Sequence, residues 1–279
     1  MVKRTILITG ATKGGIGYEV AKSLQQRGHS VVVTAKRDEV VDELRLEGFI
    51  CFKLDYRDED SIKAAYKDAK SALKGKVDVV FNNGAYGQPG ALEDIDSMVL
   101  KEQFEANFFG WHTLIKEALP DMIKRDEGRI IQHSSVLGLV ALRYRGAYNA
   151  SKYALEGYSD TLRLELKDRG IKVITINTGP IESNFRDNAR EAFIKNVDVE
   201  RSFLSSLYKK QLEGKFAKGS KDDSIFSRGA EVVVKKLIKA IEGKNPKPRY
   251  YVTEATMLME FLKRVLPTSM LDRVLLKVE

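Results

Sequence analysis

Residues 5–17 read TILITGATKGGIG. A β-branched apolar run ends at Thr9, a turn follows with glycines at 10, 14, 15 and 17, and a helical pattern begins at 17. Glycine removes side chains where the backbone turns tightly and must approach a ligand closely. A helix opening behind the turn offers unpaired N–H groups and a partial positive charge. Strand, glycine turn and helix in that order predict a seat for a dinucleotide pyrophosphate, a context that a bare glycine cluster lacks. The expected contacts are Gly10, Thr12, Lys13, Gly15, Ile16 and Gly17.

The rest of the chain repeats this alternation. Apolar strand signals recur at 30–34, 49–54, 77–81, 129–133 and 172–177, with a short last one near 249–252. Helical patterns lie at 17–27, 39–47, 61–73, 98–125, 148–168 and 230–241. Strands apolar on both faces, alternating with helices, predict a parallel sheet covered on both sides. With right-handed crossovers this is an α/β doubly wound (Rossmann) fold, with a mostly parallel seven-stranded sheet. There is no internal repeat or linker, so residues 1–279 read as one dinucleotide-binding domain. Residues 184–227 are polar, with interspersed Phe185, Phe193, Phe203, Leu204, Leu207, Tyr208 and Phe216, and are expected to form a helical substrate cover or an ordinary pair of surface helices. Residues 254–279 form an amphipathic tail, expected to pack on the domain or to rest on an anionic bilayer.

One stretch carries chemistry. Ser134 to Lys152 reads SSVLGLVALRYRGAYNASK, placing Tyr148 and Lys152 one helical turn apart. An ammonium beneath a phenol favours the phenolate and would draw the tyrosine pKa down from about 10. Tyr66 and Lys70 have the same spacing, but Lys53 stands where the first pair has Ser135, thirteen residues upstream of the tyrosine. Only Tyr148 comes with a hydroxyl partner.

The end of the second strand reads Ala35-Lys36-Arg37, where a site preferring NAD would carry an acid for the ribose 2′-hydroxyl. Lys36, Arg37 and Lys13 could instead neutralise a 2′-phosphate, so NADP(H) is expected over NAD(H).

The net charge is +8, and from Arg186 onward 20 Lys/Arg face 13 Asp/Glu. A solvated basic face or a membrane surface would account for this excess; no zinc-finger, RNA-recognition or helix-turn-helix signature supports nucleic acid. A lone cysteine, Cys51, excludes an internal disulfide, and His29, His112 and His133 share no metal-ligand spacing. The opening residues lead directly into a strand, so no signal peptide is expected. A cytoplasmic, reducing compartment fits, with membrane association through the tail left open.

Thr9-Gly10…Gly15-Ile16-Gly17, Leu54-Asp55, Asn82-Asn83-Gly84-Ala85, Asn107, Ser135, Tyr148…Lys152 and Gly179-Pro180 occur in the order found in short-chain dehydrogenases/reductases, and the chain resembles that family. NNGAYGQPGALEDI and RGAYNASKYALEGYSDTLRLEL look closest to its single-domain branch of retinol and 17β-hydroxysteroid dehydrogenase-like proteins and bacterial NADP-dependent aldehyde reductases. The resemblance implies that Tyr148 is the general acid or base, that Lys152 holds the nicotinamide ribose, and that Ser135 hydrogen-bonds the reacting oxygen. It further implies that Asn107 organises a water relay to Lys152, Asp55 meets the adenine, and Asn82 and Gly84 line the cofactor groove. Gly179, Pro180, Ile181 and Ser183 would meet the nicotinamide, and the subunits would assemble as a homo-oligomer through helices 98–125 and 148–168. The glycine loop is one residue longer than the commonest family spacing, so Lys13 or Gly14 is expected to bulge.

The expected function is therefore NADP(H)-dependent interconversion of a lipophilic carbonyl and its alcohol. Leu137, Val140 and Tyr144 would line the substrate pocket. Two rival expectations are a membrane-peripheral dehydrogenase of retinoid, steroid or lipid alcohols, and a cofactor-binding sensor or scaffold without turnover.

Overall fold

The computed structural model of the protein describes residues 2–214, 217 and 226–278. Its elements follow the predicted alternation: β1 (Thr5–Ile8), α1 (Ile16–Gln26), β2 (Ser30–Ala35), α2 (Asp38–Leu46), β3 (Ile50–Lys53), α3 (Glu59–Ala72), β4 (Val79–Asn82), α4 (Ser97–Phe104), α5 (Gly110–Arg125), β5 (Gly128–Ser135), α6 (Gly146–Glu165) and β6 (Ile171–Thr178). Then come α7 (Phe185–Asn196), α8 (Ser205–Glu213), α9 (Glu231–Glu242), β7 (Arg249–Tyr251), α10 (Glu254–Val265) and α11 (Thr268–Leu275).

The seven strands lie in the order β3-β2-β1-β4-β5-β6-β7, every neighbour parallel. The order reverses beside β1, so the carboxyl ends of β1 and β4 flank a crevice of the kind that receives ligands in doubly wound sheets. Two apolar layers cover the sheet. Ile6, Ile8, Val31 and Val33 pack with Val20, Leu24, Leu237 and Ile241 on one face. Leu7, Val32 and Val80 pack with Ile62, Trp111, Leu114 and Leu155 on the other. Strand residues alternate between these layers, which explains why their runs are apolar throughout.

The helix predicted over 98–125 is interrupted. Between α4 and α5, residues Glu105–Phe109 form a π-helical turn. Gly110 then lies so close to Tyr56 that a Cβ would collide with the Tyr56 carbonyl. A π turn widens the helix by one residue and often marks a functional position; here it holds buried Asn107 inward.

The segment expected to form a cover or a pair of surface helices contains α7 and α8, joined by a small cluster of Phe193, Val197 and Tyr208. Phe216, the last apolar residue expected there, lies outside the described residues. In the tail, Thr256 and Leu275 are buried, but Met257, Leu258, Phe261 and Val265 stay exposed on α10. Among the described residues no helix is long and apolar enough to cross a membrane.

Candidate active site

The glycine turn is shaped by four glycines. The Gly15 N–H donates to the Thr12 carbonyl (2.8 Å), with Gly14 at φ +74° inside the turn. Gly14 is the left-handed corner, which only glycine accepts without strain. Gly10, at φ +65°, lies against Gly84, whose Cα a side chain would strike. A Cβ on Gly17 would come within 2.7 Å of Asn83 Nδ2. Asn83 fastens the turn: its Nδ2 donates to the carbonyls of Thr9 (2.9 Å) and Gly10 (3.1 Å). The backbone N–H groups of Asn83 and Gly84 both donate to Thr9 Oγ1. α1 then begins behind Gly15 with no side-chain cap. Glycine-bared backbone and uncapped N–H groups fit a dinucleotide pyrophosphate.

Asn82 requires a correction. Its wholly buried side chain accepts from the Tyr56 hydroxyl (2.7 Å) and donates to Gln132 Oε1 (2.8 Å), so it braces the core and does not line the groove. Asn83 does the work at the turn, with Oδ1 2.8 Å from His133 Nδ1.

At the edge expected to meet the adenosine, the bases already have partners. Lys36 Nζ is 3.3 Å from Asp55, and Lys13 Nζ is 2.9 Å from Glu47 at the end of α2. Burial pushes the Asp55 carboxyl up, but hydrogen bonds from Arg57 and the charges of Lys36 and Arg57 outweigh it and hold the group below its ordinary value. Arg37, just before α2, makes no ion pair among the described residues.

Ser135 ends β5, and Tyr148 and Lys152 lie in the first turns of α6. All three are buried. The Ser135 hydroxyl lies beside the Tyr148 phenol, whose pKa it lowers, and its oxygen accepts from the Leu137 N–H (3.1 Å). Lys152 Nζ donates to the His133 carbonyl (2.7 Å), 4.5 Å from the Trp111 ring centre and 5.6 Å from that of Tyr148. The second tyrosine–lysine pair has no such setting: Lys70 pairs with Asp121 on the surface of α5.

The electrostatics differ from the sequence expectation. Burial pushes the Tyr148 phenol well above its ordinary value, and the Ser135 hydroxyl pulls it only partly back. Burial also lowers the Lys152 ammonium to about 7, against the charge of Glu156. Desolvation dominates for both groups, disfavouring the ammonium and the phenolate alike. His133 is pushed down to about 3 by burial and by the charge of Lys152, so its ring is neutral.

Asn107 does not aim its amide at Lys152. It accepts from the Tyr86 N–H (3.2 Å), and its Nδ2 donates to the Tyr86 carbonyl (2.9 Å) and to Ser151 Oγ (3.3 Å) on α6. It ties the π turn to the helix that carries Tyr148 and Lys152.

The segment after β6 crosses back over this edge. Gly179 is needed because a side chain would collide with Thr253 Oγ1. Ile181 bridges to Arg228, the Pro180 carbonyl accepts from Arg228 N (3.3 Å), and Ser183 Oγ lies 3.4 Å from Phe185 N. Asn184 Nδ2 donates to the Lys13 carbonyl (2.9 Å), and the Phe185 ring sits 5.4 Å from that of Tyr148. Leu137 is half-buried beside Ser135, while Val140 is buried. Tyr144 adopts a left-handed φ of 59° and turns its ring to Tyr208 of α8. Gly90, Tyr144, Arg145, Phe193, Tyr208 and Leu212 enclose a small cavity there, apart from Ser135 and Tyr148.

Sequence reading passed over Asn83 as a clamp and His133 as a strut between Asn83 and Thr178 (3.2 Å). The available signal was Gln132-His133 directly after the apolar Ile130-Ile131 within a buried strand.

Comparison with known proteins places this geometry. Residues 4–193 match the family model described as short chain dehydrogenase. The Escherichia coli (strain K12) oxidoreductase YbbO is 35% identical over 275 residues, covering 99% of this chain and 95% of that protein. The 3-ketodihydrosphingosine reductase of Bacteroides thetaiotaomicron is 36% identical over 210 residues, covering 74% and 76%. A short-chain dehydrogenase from Streptomyces avermitilis superimposes with TM-score 0.78 at 25% identity, over 99% of this chain and 94% of that one. The same fold recurs in a Burkholderia phymatum protein in complex with NAD (TM-score 0.76, 22% identity, 93% and 92% covered). It recurs again in a Burkholderia cenocepacia protein in complex with NADP (TM-score 0.74, 18% identity, 97% of each chain).

Proposed function

The chain belongs to the short-chain dehydrogenase/reductase family of NAD(P)-dependent oxidoreductases, and from that premise we propose that it reduces a lipophilic aldehyde or ketone to its alcohol with NADPH. The observation that carries the proposal is the burial of Ser135 and Tyr148 together, with Lys152 one turn along the same helix, at the carboxyl edge of the sheet.

The dinucleotide supplies or accepts the hydride when bound. Ser135 donates to the carbonyl oxygen as charge gathers there. Tyr148 hands its proton to the same oxygen, and burial, by keeping the phenol protonated, suits it to act as an acid. Lys152 holds the nicotinamide ribose and, while charged, steadies the phenolate left behind. Asn107 holds Tyr86 and Ser151 in register beneath α6. Gly10, Thr12, Lys13, Gly15, Ile16, Gly17 and Gly84 would seat the pyrophosphate, Asp55 the adenine, and Gly179, Pro180, Ile181 and Ser183 the nicotinamide end. Leu137 and Tyr144 would face the substrate beneath α7 and α8.

The preference for NADPH is supported by Lys36 and Arg37 as the two residues that follow Ala35 at the end of β2, and by Lys13 held nearby. Charge-assisted hydrogen bonds contribute about 1.5–3 kcal/mol each. Lys36→Ala/Arg37→Ala removes two of them and is thus expected to raise the NADPH Kd about 10²–10⁴-fold and to leave NADH nearly unchanged. Equal losses for the two cofactors would refute the preference. Lipophilic substrates are supported by the apolar side chains of the cover and by the relative named for reducing a sphingoid ketone. A panel of long-chain aldehydes, ketosteroids and retinoids against both cofactors tests the whole reading; cofactor binding without turnover of any of them would favour the sensor alternative.

A second reading concerns location. Met257, Leu258, Phe261 and Val265 form one exposed apolar strip on α10, with Lys263 and Arg264 alongside. Such a strip is suited to an anionic bilayer. Full-length protein should co-sediment with phosphatidylserine vesicles and lose that binding in Phe261→Ser/Val265→Ser; equal sedimentation would remove the tail as anchor. Homo-oligomer assembly through α5 and α6 belongs to the same reading, since Phe109 and Leu164 are exposed beside and on those helices.

A further inference from the structure

Tyr148, Lys152, Glu156 and Asp160 recur at four-residue spacing along α6, so their side chains share one face. Glu156 is only 8% exposed, unusually deep for a carboxylate. Asn177 Nδ2 of β6 donates to one of its oxygens (2.6 Å) and Arg249 Nη2 of β7 to the other (2.6 Å). Two donors, one on each oxygen, are the environment of an ionised acid.

These partners reach the site from separate elements. Asn177 Nδ2 also lies 3.5 Å from the Ser135 carbonyl. Arg249 is itself anchored by Asp160 (3.1 Å) and by Thr175 Oγ1 (3.1 Å). A Cβ on Gly138, three residues past Ser135, would lie 3.0 Å from the Lys152 carbonyl and 3.1 Å from Glu156 Cγ, so the turn after β5 packs onto this stretch of α6. Lys152 meets the His133 carbonyl from β5 and the Trp111 ring from α5, and neither brings an opposite charge.

A buried ammonium without a counter-charge gives up its proton. We propose that Glu156 is a positioning residue for Lys152: its carboxylate, held in place by Asn177 and Arg249, keeps the buried amine charged during the reaction. Burial drives the Lys152 ammonium down and Glu156 opposes that shift. Burial raises the Glu156 carboxyl above its ordinary value, and the Ser134 hydroxyl, the Arg249 charge and the Asn177 hydrogen bond pull it only partly back. The buried His133 ring, kept neutral, adds no charge beside Lys152. Arg249 therefore has two effects: it fixes the carboxylate and weakens the field that Lys152 feels.

This inference rests on the proposed role of Lys152, and its test separates the two. The Lys152 side-chain carbon signal is followed through a pH titration in ¹³C-lysine-labelled protein and assigned with Lys152→Arg. Glu156→Gln keeps the shape and removes the charge. It should lower the Lys152 midpoint by about one unit, a tenfold smaller charged fraction above the midpoint, and Glu156→Asp should restore most of it. The kcat ratio of the Gln variant to the parent should then fall up to tenfold as pH rises through neutrality, with KM for the carbonyl little changed. An unshifted Lys152 midpoint in Glu156→Gln overturns the proposal. A shifted midpoint with an unchanged kcat profile leaves the Glu156 coupling intact and refutes the role given to Lys152. If Glu156→Gln does not fold, Asn177→Leu serves: it frees the carboxylate without changing any charge and should lower the Lys152 midpoint, and an unchanged value overturns the coupling.

Discussion

Tyr148→Phe is expected to fold, to bind its dinucleotide as the parent does, and to reduce aldehydes about 10²–10⁴-fold more slowly. The substitution removes one oxygen. The ring keeps its contact with Phe185 and its place beside Lys152. What disappears is the proton that the carbonyl oxygen would receive, together with the hydroxyl that faces Ser135. Leaving the Ser135 hydroxyl short of a partner costs about 1 kcal/mol, too little to unfold the domain. Steady-state kcat and NADPH binding by fluorescence check both halves of the expectation. Activity retained within a few-fold would remove Tyr148 as the acid.

Gly10→Ala should do the opposite kind of damage, abolishing cofactor binding and lowering Tm by about 10 °C. Two penalties combine. A left-handed backbone at φ +65° costs a non-glycine residue about 1–2 kcal/mol. The added Cβ would also run into Gly84, with its N only 2.8 Å away, and a backbone segment hydrogen-bonded to Thr9 cannot step aside. At about 2–4 °C per kcal/mol for a chain of this class, a combined loss of 3–5 kcal/mol gives the stated shift. Gly48 supplies the control: its φ is +88°, yet a Cβ there meets nothing within 4 Å. Gly48→Ala should lose about 1 kcal/mol and keep its cofactor. If the two variants melt together, the close approach of Gly10 to Gly84 is not what holds the turn.

The two tyrosine–lysine pairs show how far local spacing reaches. Identical intervals place Tyr66/Lys70 and Tyr148/Lys152 on helices, and the serine upstream already separates them in the sequence. The charge state could not be read in the same way. An i, i+4 interval says that an amine and a phenol share a helix face; it does not say that both are out of water, and burial reverses the direction of the expected shift.

The alternation of strands and helices, the glycine turn before α1 and the grouping of Ser135 with Tyr148 and Lys152 were all legible in the residues. Each depends on periodicity or spacing within one element and its immediate flanks, where side-chain chemistry acts directly on the backbone. The π turn at Asn107, the exchange of roles between Asn82 and Asn83, the ion pairs that hold Lys13 and Lys36, and the bond from Arg249 to Glu156 across 93 residues needed the folded chain. These join residues that only the crossovers bring together, and a polar side chain's role is set by whichever distant donor or acceptor the packing places beside it.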